Sequence, residues 1–474
     1  MSSLLPPVAT SLELEEHATS YAPAEDRSLL HAGALVFFDG ALERLDVVRA
    51  AARAALVHDE LRHKPTSLPL AADVLAWSPD TGFRASKQVH VVEIDDARDE
   101  RTLARAVARI WSRPLPADRP PWELTLFSDR SGVRTTVLVK GHRELADARG
   151  AVALASLLLG TGIDASVPRP AARAAEPAGV LPTLLHVAST LADHGARRSR
   201  ALAGEVRALL RPGVALARTR EVGRILESAG TLLSSPAPET PWNGTLGPER
   251  RVAWLALSRD VLRGIEDVLG GTWHDAWLTI AADALGRYLR SRGRATIGLT
   301  LLAYLPAGAN DAATGLDPAR LVGLPVDEMS PVARHAAVLK GHLDPLAAAR
   351  GGGLEQLARV SQHLPAPLQS LLGSLCYQAA NTVLVADHAP REPLVLGDRR
   401  VTSIVPLAAL PWHVGLALAA LEWPGDEILI GITADALLVP HVGALVLALH
   451  DAYVEIAAAA GVPPLGPART RRTH

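Results

Sequence analysis

The sequence predicts an α+β fold made of two layered domains, and three observations support this prediction. Strand-like and helix-like segments alternate in both halves of the chain. The 474 residues, 48% of them hydrophobic, exceed one ordinary core and are enough to fill two. A middle stretch rich in proline, alanine and arginine separates the halves. We therefore predict an N-terminal domain over 1–165, a helical linker over 166–240 and a C-terminal domain over 241–474.

Hydrophobic spacing assigns the elements within each half. In the first half, strands are predicted at 34–38, 88–94 and 136–139, and helices at 42–56, 100–111 and 150–159. The stretch 64–80 is predicted to be irregular. In the second half, strands are predicted at 252–257, 297–305, 401–405, 414–421 and 427–433, and helices at 260–269, 274–290 and 442–459. Three amphipathic helices, at 181–192, 197–210 and 214–226, are predicted for the linker.

Composition excludes several classes of function. A formal net charge of −2 and a pI near 6.8 give no electrostatic signature for nucleic acid. Cys376 is the single cysteine, which excludes an intrachain disulfide and fits a reducing cytoplasm. The N-terminus lacks the pattern of a secretory signal, and no run reaches the roughly 18 apolar residues that span a bilayer. We predict a cytoplasmic protein. Arginines of the linker either form a solvated face or give peripheral contact with anionic lipid.

No metal or bound cofactor is predicted. The 17 histidines are scattered without a HExxH spacing, and the single cysteine cannot form a metal cluster. No glycine-rich loop has the Walker or the dinucleotide-binding spacing, and there is no GxSxG nucleophile elbow.

A polar segment over 142–148 separates the predicted strand at 136–139 from the predicted helix at 150–159. Polar side chains between a buried strand and a buried helix lie at a sheet edge, where acid and base groups are held rigidly. His142 and Asp147 are the candidates. They either serve proton transfer or pair and cap the following helix.

This segment resembles the HHxxxDG signature of the CoA-dependent acyltransferase superfamily. His142 matches the first histidine and Asp147 the aspartate, whereas Arg143 stands at the second histidine and Ala148 at the glycine. In that superfamily the second histidine is the general base and the aspartate is structural. The sequence therefore departs from the signature at the position of the general base, where it has Arg143.

Further segments are similar to motifs of the bacterial wax ester synthase/diacylglycerol acyltransferase family, in the same order. They are PLPADRPPWE at 114–123, NGTLGPERR at 243–251, GGTWHD at 270–275 and LPVDEMSP at 324–331, with single residues at Trp77, His90, Asn381, Gly397, Gly415 and Asp435. His274 replaces the asparagine of the family's GGTxND motif, and Pro116 replaces an aspartate. The similarity extends over about 30–460.

The resemblance implies two chloramphenicol-acetyltransferase-like αβ sandwich domains, with mixed sheets flanked by helices. It also implies acyl-CoA as co-substrate, and a small-molecule or lipid substrate in the cleft between the domains. The candidate catalytic residues are His142, Asp147 and His274. The candidate substrate-binding residues are Arg143, Trp273, Asp275 and Asn243.

Arg143 cannot act as a general base, because a guanidinium stays protonated and only donates hydrogen bonds. It is suited to binding a carboxylate or phosphate instead. Three hypotheses follow. The protein is an O- or N-acyltransferase in which His142 or His274 replaces the missing base, or the fold catalyses another reaction on an anionic substrate in specialised metabolism, or it is a non-catalytic lipid- or partner-binding pseudoenzyme.

Overall fold

The structure is a computed structural model that describes residues 31–68, 71–96, 99–129, 135–142, 150–159, 237–306, 320–327, 330–341, 379–390, 393–411 and 413–463. Arg143 and Asp147 lie outside the described residues, and so do Cys376 and the predicted linker helices. The predicted lipid contact of the linker therefore stays a prediction.

The described part of the first half contains six strands and three helices. In chain order they are β1 (His31–Phe38), α1 (Arg44–Val57), β2 (His63–Leu68), β3 (Ala71–Pro79), β4 (Val89–Ile94), α2 (Glu100–Trp111), β5 (Trp122–Asp129), β6 (Thr135–His142) and α3 (Gly150–Leu159).

The described part of the second half contains eight strands and four helices. In chain order they are β7 (Arg250–Ser258), α4 (Arg259–Leu269), α5 (Trp273–Ser291), β8 (Thr300–Leu305), β9 (Arg320–Pro325), α6 (Pro331–Gly341), β10 (Thr382–His388), β11 (Val395–Leu396), β12 (Arg399–Leu407), β13 (Leu416–Trp423), β14 (Glu427–Asp435) and α7 (Val442–Ala459).

The first sheet has the strand order β11-β12-β1-β6-β5-β4 and is mixed, because β4 and β5 are parallel whereas the other pairs are antiparallel. Its two outermost strands at one edge, β11 and β12, come from the second half of the sequence. Strand β12 pairs with β1 from Gly33↔Leu407 to Phe38↔Val401. The predicted domain boundaries stay a prediction, and two strands from 241–474, β11 and β12, complete this first sheet.

The second sheet has the order β7-β14-β13-β10-β8-β9 and is also mixed. Strand β10 is parallel to β13 and to β8, and the remaining pairs are antiparallel. Strands β2 and β3 form a separate hairpin. The predicted α+β class, with mixed sheets flanked by helices, is confirmed.

One face of each sheet is covered by its own helices. Helices α1 and α3 pack on the first sheet, and the core there includes Val137, Val139 and Leu154. The helices α4, α5, α6 and α7 share a core with the second sheet, which includes Leu255 and Ile430. Alternation along each strand sends neighbouring residues to the opposite face. The remaining face of each sheet is not covered by these helices.

The two sheets meet through these remaining faces and helix α2. Leu35 and Leu138 of the first sheet share a buried cluster with Val252, Trp254 and the apolar side of α2. At Gly431 an added Cβ would lie 1.8 Å from the backbone oxygen of Pro406. Only glycine allows β14 to approach β12 this closely. We call the contact between the two sheets the junction.

Helix α2 shows how the sequence builds the junction. Asp99 is its N-cap, with carboxylate oxygens that accept from the backbone nitrogens of Arg101 and Thr102, each at 3.2 Å. Leu103 and Val107 are buried and recur at helical spacing, whereas the arginines of the helix are exposed. The helix ends at Trp111, and Ser112 caps it by bonding the backbone oxygen of Ala108 at 2.7 Å.

Among the described residues, α7 is the one helix long and apolar enough by length and composition to cross a membrane. An 18-residue window of this helix has a mean hydropathy of 1.5. The sequence was expected to contain no segment of this kind, so the finding differs from that expectation. Leu445, Leu449 and Ile456 of this helix are buried in the core that also contains α5. A core helix gives the same hydropathy signal as a membrane span.

Several element predictions are corrected by the structure. The stretch 64–80 is not irregular, because β2 and β3 pair across it from His63↔Pro79 to Leu68↔Ala71. Strands β9 and β10 and helix α6 were missed by the periodicity argument. His142, which was predicted to begin a polar turn, is the last residue of β6. The predicted helices at 100–111 and 442–459 are confirmed at both ends.

Candidate functional site

Five polar side chains lie on one face of the first sheet, near one end. Strand pairing places His31 opposite His142, Glu123 opposite Lys140, and His90 beside Thr125. Residues that pair directly, or that lie two apart on one strand, share a face. We call this set, His31, His142, Lys140, Glu123 and His90, the polar row. Its face is the one that points to the junction.

The row begins with two adjacent buried histidines. His31 is 2% exposed and His142 is 3% exposed. The Nδ1 atom of His31 lies 3.4 Å from the backbone oxygen of Trp111, and because a carbonyl oxygen only accepts, we assign the proton to Nδ1. The backbone nitrogen of His142 donates to the backbone oxygen of Pro121 at 2.9 Å.

Burial lowers the pKa of His31 well below its ordinary value of 6.5, and the nearby Lys140, His142 and Arg250 lower it further. His31 is therefore neutral at neutral pH, with Nε2 as a proton acceptor. The backbone nitrogen of Arg250 donates to Oγ of Ser112, the residue after Trp111, so the start of β7 also lies near this end of the row.

Lys140 is fully buried and is the centre of the row. Its Nζ donates to the backbone oxygens of Ile110, at 3.0 Å, and Arg113. It also donates to Oε1 of Glu123 at 3.2 Å, while Oε2 of Glu123 lies 3.9 Å from Nε2 of His90. Burial lowers the pKa of Lys140 below its usual 10.5, and Glu123 opposes that shift. The row therefore joins α2, β4, β5 and β6 by charged contacts.

A buried ion pair from the second half lies on the junction face of the second sheet. Nη1 of Arg250 lies 3.1 Å from Oδ2 of Asp435, and the side chains are 1% and 0% exposed. Asp435 also accepts from the backbone nitrogens of Gly247, Leu437 and Leu438, at 2.7, 2.9 and 3.1 Å. The backbone nitrogen of Arg250 donates to Oγ of Ser112 at 2.8 Å, which fastens β7 to the end of α2.

Two asparagines complete this end of the second sheet. Oδ1 of Asn243 accepts from Nδ2 of Asn381 at 2.9 Å, and Nδ2 of Asn243 donates to the backbone oxygens of Ala380 and His413 at 3.2 and 3.1 Å. Oδ1 of Asn381 accepts from the backbone nitrogen of Leu302 at 2.9 Å. Asn243, a predicted substrate-binding residue, thus has both polar atoms of its side chain in protein hydrogen bonds.

Several buried polar atoms have no hydrogen-bond partner among the residues that the structure describes, and three of them belong to the junction faces of the two sheets. They are Nε2 of His31, Nη2 of Arg250 and Oγ1 of Thr433. Thr433 lies two residues before Asp435 on β14 and therefore shares its face, towards the junction. Buried polar atoms are normally hydrogen-bonded, so this set can bind the polar atoms of a ligand.

A groove of about 620 Å³ is formed by elements of both halves. It lies between α2, the start of β7 and the start of α7. Small apolar side chains such as Ala104 and Ala108 line it together with Arg101, Arg105 and Arg251. Such a groove suits a ligand with an apolar part and an anionic part.

His274 lies in a second aromatic cluster. Its ring is 4.0 Å from that of Trp273 and 5.6 Å from that of His388. His388 ends β10, whereas Asn381 precedes the start of the same strand, and the seven residues of β10 span about 20 Å. His274 thus lies at the end of the second sheet opposite the Arg250–Asp435 pair.

Asp275 and Thr272 form a capping box at the N-terminus of α5. Oδ2 of Asp275 accepts from the backbone nitrogen and the hydroxyl of Thr272, both at 2.8 Å. The predicted roles of Trp273 and Asp275 in substrate binding stay predictions.

His142 was predicted from the sequence as a candidate residue, whereas His31, Lys140 and Glu123 were not. Glu123 ends the PLPADRPPWE segment, so the motif contained a signal that was not used. Lys140 precedes the HHxxxDG-like segment by two residues in an apolar strand, and a charged residue at such a position is a signal by itself. No local signal marks His31, because its neighbours come from α2 and β6.

The pH dependence of stability should report the buried state of His31. Its pKa in the folded protein is lowered, so the unfolded chain takes up a proton near pH 6.5 that the folded protein does not. This contribution to stability is fully present above about pH 6.5 and decreases as the pH falls below it. We expect the melting temperature to fall between about pH 8 and about pH 5, and His31→Gln to reduce that fall.

The exposed His441 offers a matched control. His441→Gln should leave the pH dependence of the melting temperature as in the wild type. Parallel curves for the wild type and His31→Gln would show that His31 is not buried as a neutral imidazole.

Solved structures share the fold of this chain. The structure resembles the wax ester synthase/diacylglycerol acyltransferase from Marinobacter aquaeolei VT8, with a TM-score of 0.62 and 17% identity over 91% of this chain and 95% of that one. It also resembles the first condensation domain of the calcium-dependent antibiotic synthetase, with a TM-score of 0.57 and 16% identity over 95% and 94% of the two chains. These likenesses define the class as the CoA-dependent acyltransferase-like fold.

Residues 18–277 match the family described as the wax ester synthase/diacylglycerol acyltransferase catalytic domain. Rv1760 of Mycobacterium tuberculosis, which is named as a diacylglycerol O-acyltransferase, is 26% identical over 420 residues, or 84% of this chain and 79% of that protein. The chain belongs to the wax ester synthase/diacylglycerol acyltransferase family.

Proposed function

We propose that the protein transfers an acyl group from a coenzyme A thioester to a hydroxyl or amino acceptor at the junction, and that Arg143 makes this transfer weak or altered. The observation that carries the proposal is the buried pair His142 and His31. The pair lies at the end of the family's motif strand and on the face that points to the Arg250–Asp435 pair.

The reaction needs a proton acceptor. An acceptor hydroxyl attacks the thioester carbonyl, the carbon–sulfur bond breaks, and the proton of the hydroxyl ends on the sulfur of coenzyme A. A neutral imidazole is suited to carry that proton between the two. The sequence has Arg143 at the position of the family's base, so we propose that His142, with the neutral His31 beside it, takes this role. Nη2 of Arg250 has no hydrogen-bond partner among the described residues, so we propose that it donates to the thioester oxygen that becomes negative.

His274 is the other candidate base. Its aromatic cluster lies near the end of β10, away from the Arg250–Asp435 pair, which favours His142 over His274 as the base.

An assay of coenzyme A release tests the proposal. With palmitoyl-CoA and a long-chain alcohol, we expect slow release by the wild type, because general-base catalysis typically contributes about 10²–10⁴-fold. His142→Ala should lower the remaining rate by about 10²-fold, and His274→Ala should leave it within about twofold. Fast release that survives both substitutions would show that the base lies elsewhere.

Mass spectrometry of molecules that copurify with the protein separates the alternatives. A trapped carboxylate, with no coenzyme A release in the assay, would favour another reaction on an anionic substrate. A trapped intact lipid that is never converted would favour the pseudoenzyme.

A further inference from the structure

A second pocket lies in the first half, at the start of β4. Its volume is about 570 Å³, within the range of small-molecule sites. Four cationic side chains line it, against two carboxylates. The cations are Arg44, Lys64, Lys87 and Arg119, and the carboxylates are Asp80 and Asp118. We call it the basic pocket.

The charges of the basic pocket are only partly compensated. Nζ of Lys64 lies 3.8 Å from a carboxylate oxygen of Asp80, and Nε of Arg119 lies 3.4 Å from one of Asp118. Arg44 donates to the backbone oxygens of Ser86 and Val89, at 2.6 and 3.2 Å, and no carboxylate of the described residues lies within ion-pair distance of it.

Lys87 is exposed, and it has no carboxylate within ion-pair distance in the part of the chain that the structure describes. Backbone carbonyl groups thus hold Arg44 in place while the net charge of the pocket stays positive. Such an arrangement attracts an anion.

The types of basic residue in the pocket also indicate an anionic ligand. The chain has 48 basic residues, of which only four are lysines, and two of these four, Lys64 and Lys87, line the basic pocket. A third, Lys140, belongs to the polar row. A lysine ammonium is a compact charge that binds phosphate, and a neighbouring arginine adds planar, bidentate contacts.

The basic pocket lies at the same end of the first sheet as His142. Arg119 donates to the backbone oxygen of Lys87 at 2.9 Å, and Gln88 donates from Nε2 to the backbone oxygen of Pro120, also at 2.9 Å. The next residue, Pro121, accepts from the backbone nitrogen of His142. The short segment 119–121 therefore contacts both the basic pocket and His142.

The basic pocket lies two strand spacings from β6, the strand that ends at His142. His90 on β4 lines the basic pocket and lies 3.9 Å from Glu123 on β5, which contacts Lys140 on β6. Two strand spacings are about 10 Å. The pantetheine arm of coenzyme A is long enough to cover that distance.

We propose that the basic pocket binds a phosphate ester, and that the phosphorylated adenosine head of coenzyme A supplies it; this second part rests on the proposed acyl transfer. The thioester end would then reach the His142–His31 pair along the end of the sheet. A phospholipid head group presents the same chemistry and is distinguished by the experiment.

Binding measurements on the whole protein test the proposal. Isothermal titration with coenzyme A and with adenosine 3′,5′-bisphosphate should give affinities that Lys87→Glu lowers by about 10-fold or more, because a charged hydrogen bond is lost and a repulsion is added. Lys340→Glu, at an exposed position of α6, is the matched control and should leave both affinities unchanged. Melting temperatures confirm that both variants fold.

Flotation with phosphatidylglycerol vesicles, compared with phosphatidylcholine vesicles, provides the second arm. If Lys87→Glu weakens binding to phosphatidylglycerol but coenzyme A does not bind, the phosphate site stands and its source is lipid. Equal affinities of wild type and Lys87→Glu for every phosphate ligand, or no binding by the wild type, would overturn the site. Charge-sensitive binding of coenzyme A without any acyl transfer would support the pocket and count against the proposed function.

Discussion

Asp435→Ala is expected to lower the free energy of unfolding by about 3–5 kcal/mol, because it leaves a buried guanidinium without its counter-ion. Arg250 and Asp435 are 1% and 0% exposed, and Asp435 also satisfies three backbone nitrogens around it. Burial already lowers the pKa of Arg250, which Asp435 opposes. The loss can be measured by urea denaturation with circular dichroism.

Two variants make this prediction specific. Asp435→Asn keeps the shape and an acceptor oxygen but loses the charge, so its loss should be smaller than that of Asp435→Ala. Asp46→Ala breaks an exposed pair in which Arg49 is 62% and Asp46 is 41% exposed, and should cost less than about 1 kcal/mol. A similar small cost for Asp435→Ala would mean that the pair does not hold the junction together.

Arg143→His should raise coenzyme A release from palmitoyl-CoA and a long-chain alcohol by about 10²–10⁴-fold, the usual contribution of a general base. The substitution restores the histidine that the family's motif has at this position, next to His142. Arg143→Lys is the matched control, because it keeps a cation and adds no base, and it should give no gain. Release that is already fast in the wild type, or no gain in Arg143→His, would contradict the interpretation of Arg143 as the cause of weak transfer.

The sequence predicted the fold class and most elements because their signals are local. Helix α2 has a capping aspartate at Asp99 and a strict apolar face, and both of its ends were predicted correctly. The crossing of β12 into the first sheet has no local signal, because its partner β1 lies more than 360 residues earlier in the chain. The hairpin of β2 and β3 was missed because Pro65 and its polar neighbours obscure the alternation.

In the site, too, some residues have a local signal in the sequence and others do not. In the sequence, Asn243, Asn381 and Asp435 are separate matches to family motifs, and the structure brings them together at one end of the second sheet. His31 could not be found in this way. Its pKa is lowered first by burial and then by Lys140 and Arg250, which come from other elements and approach it only through packing.

The central claim is that the thioester of an acyl-CoA lies beside His142 and His31 at the junction. The most direct test is affinity labelling with 2-bromopalmitoyl-CoA, in which an imidazole nitrogen displaces bromide from the carbon next to the thioester carbonyl. Peptide mass spectrometry then identifies the labelled histidine, and this readout does not depend on efficient turnover. We expect the label on His142 or His31, with protection by excess coenzyme A; a coenzyme A-protected label on His274 or His388 would contradict the account.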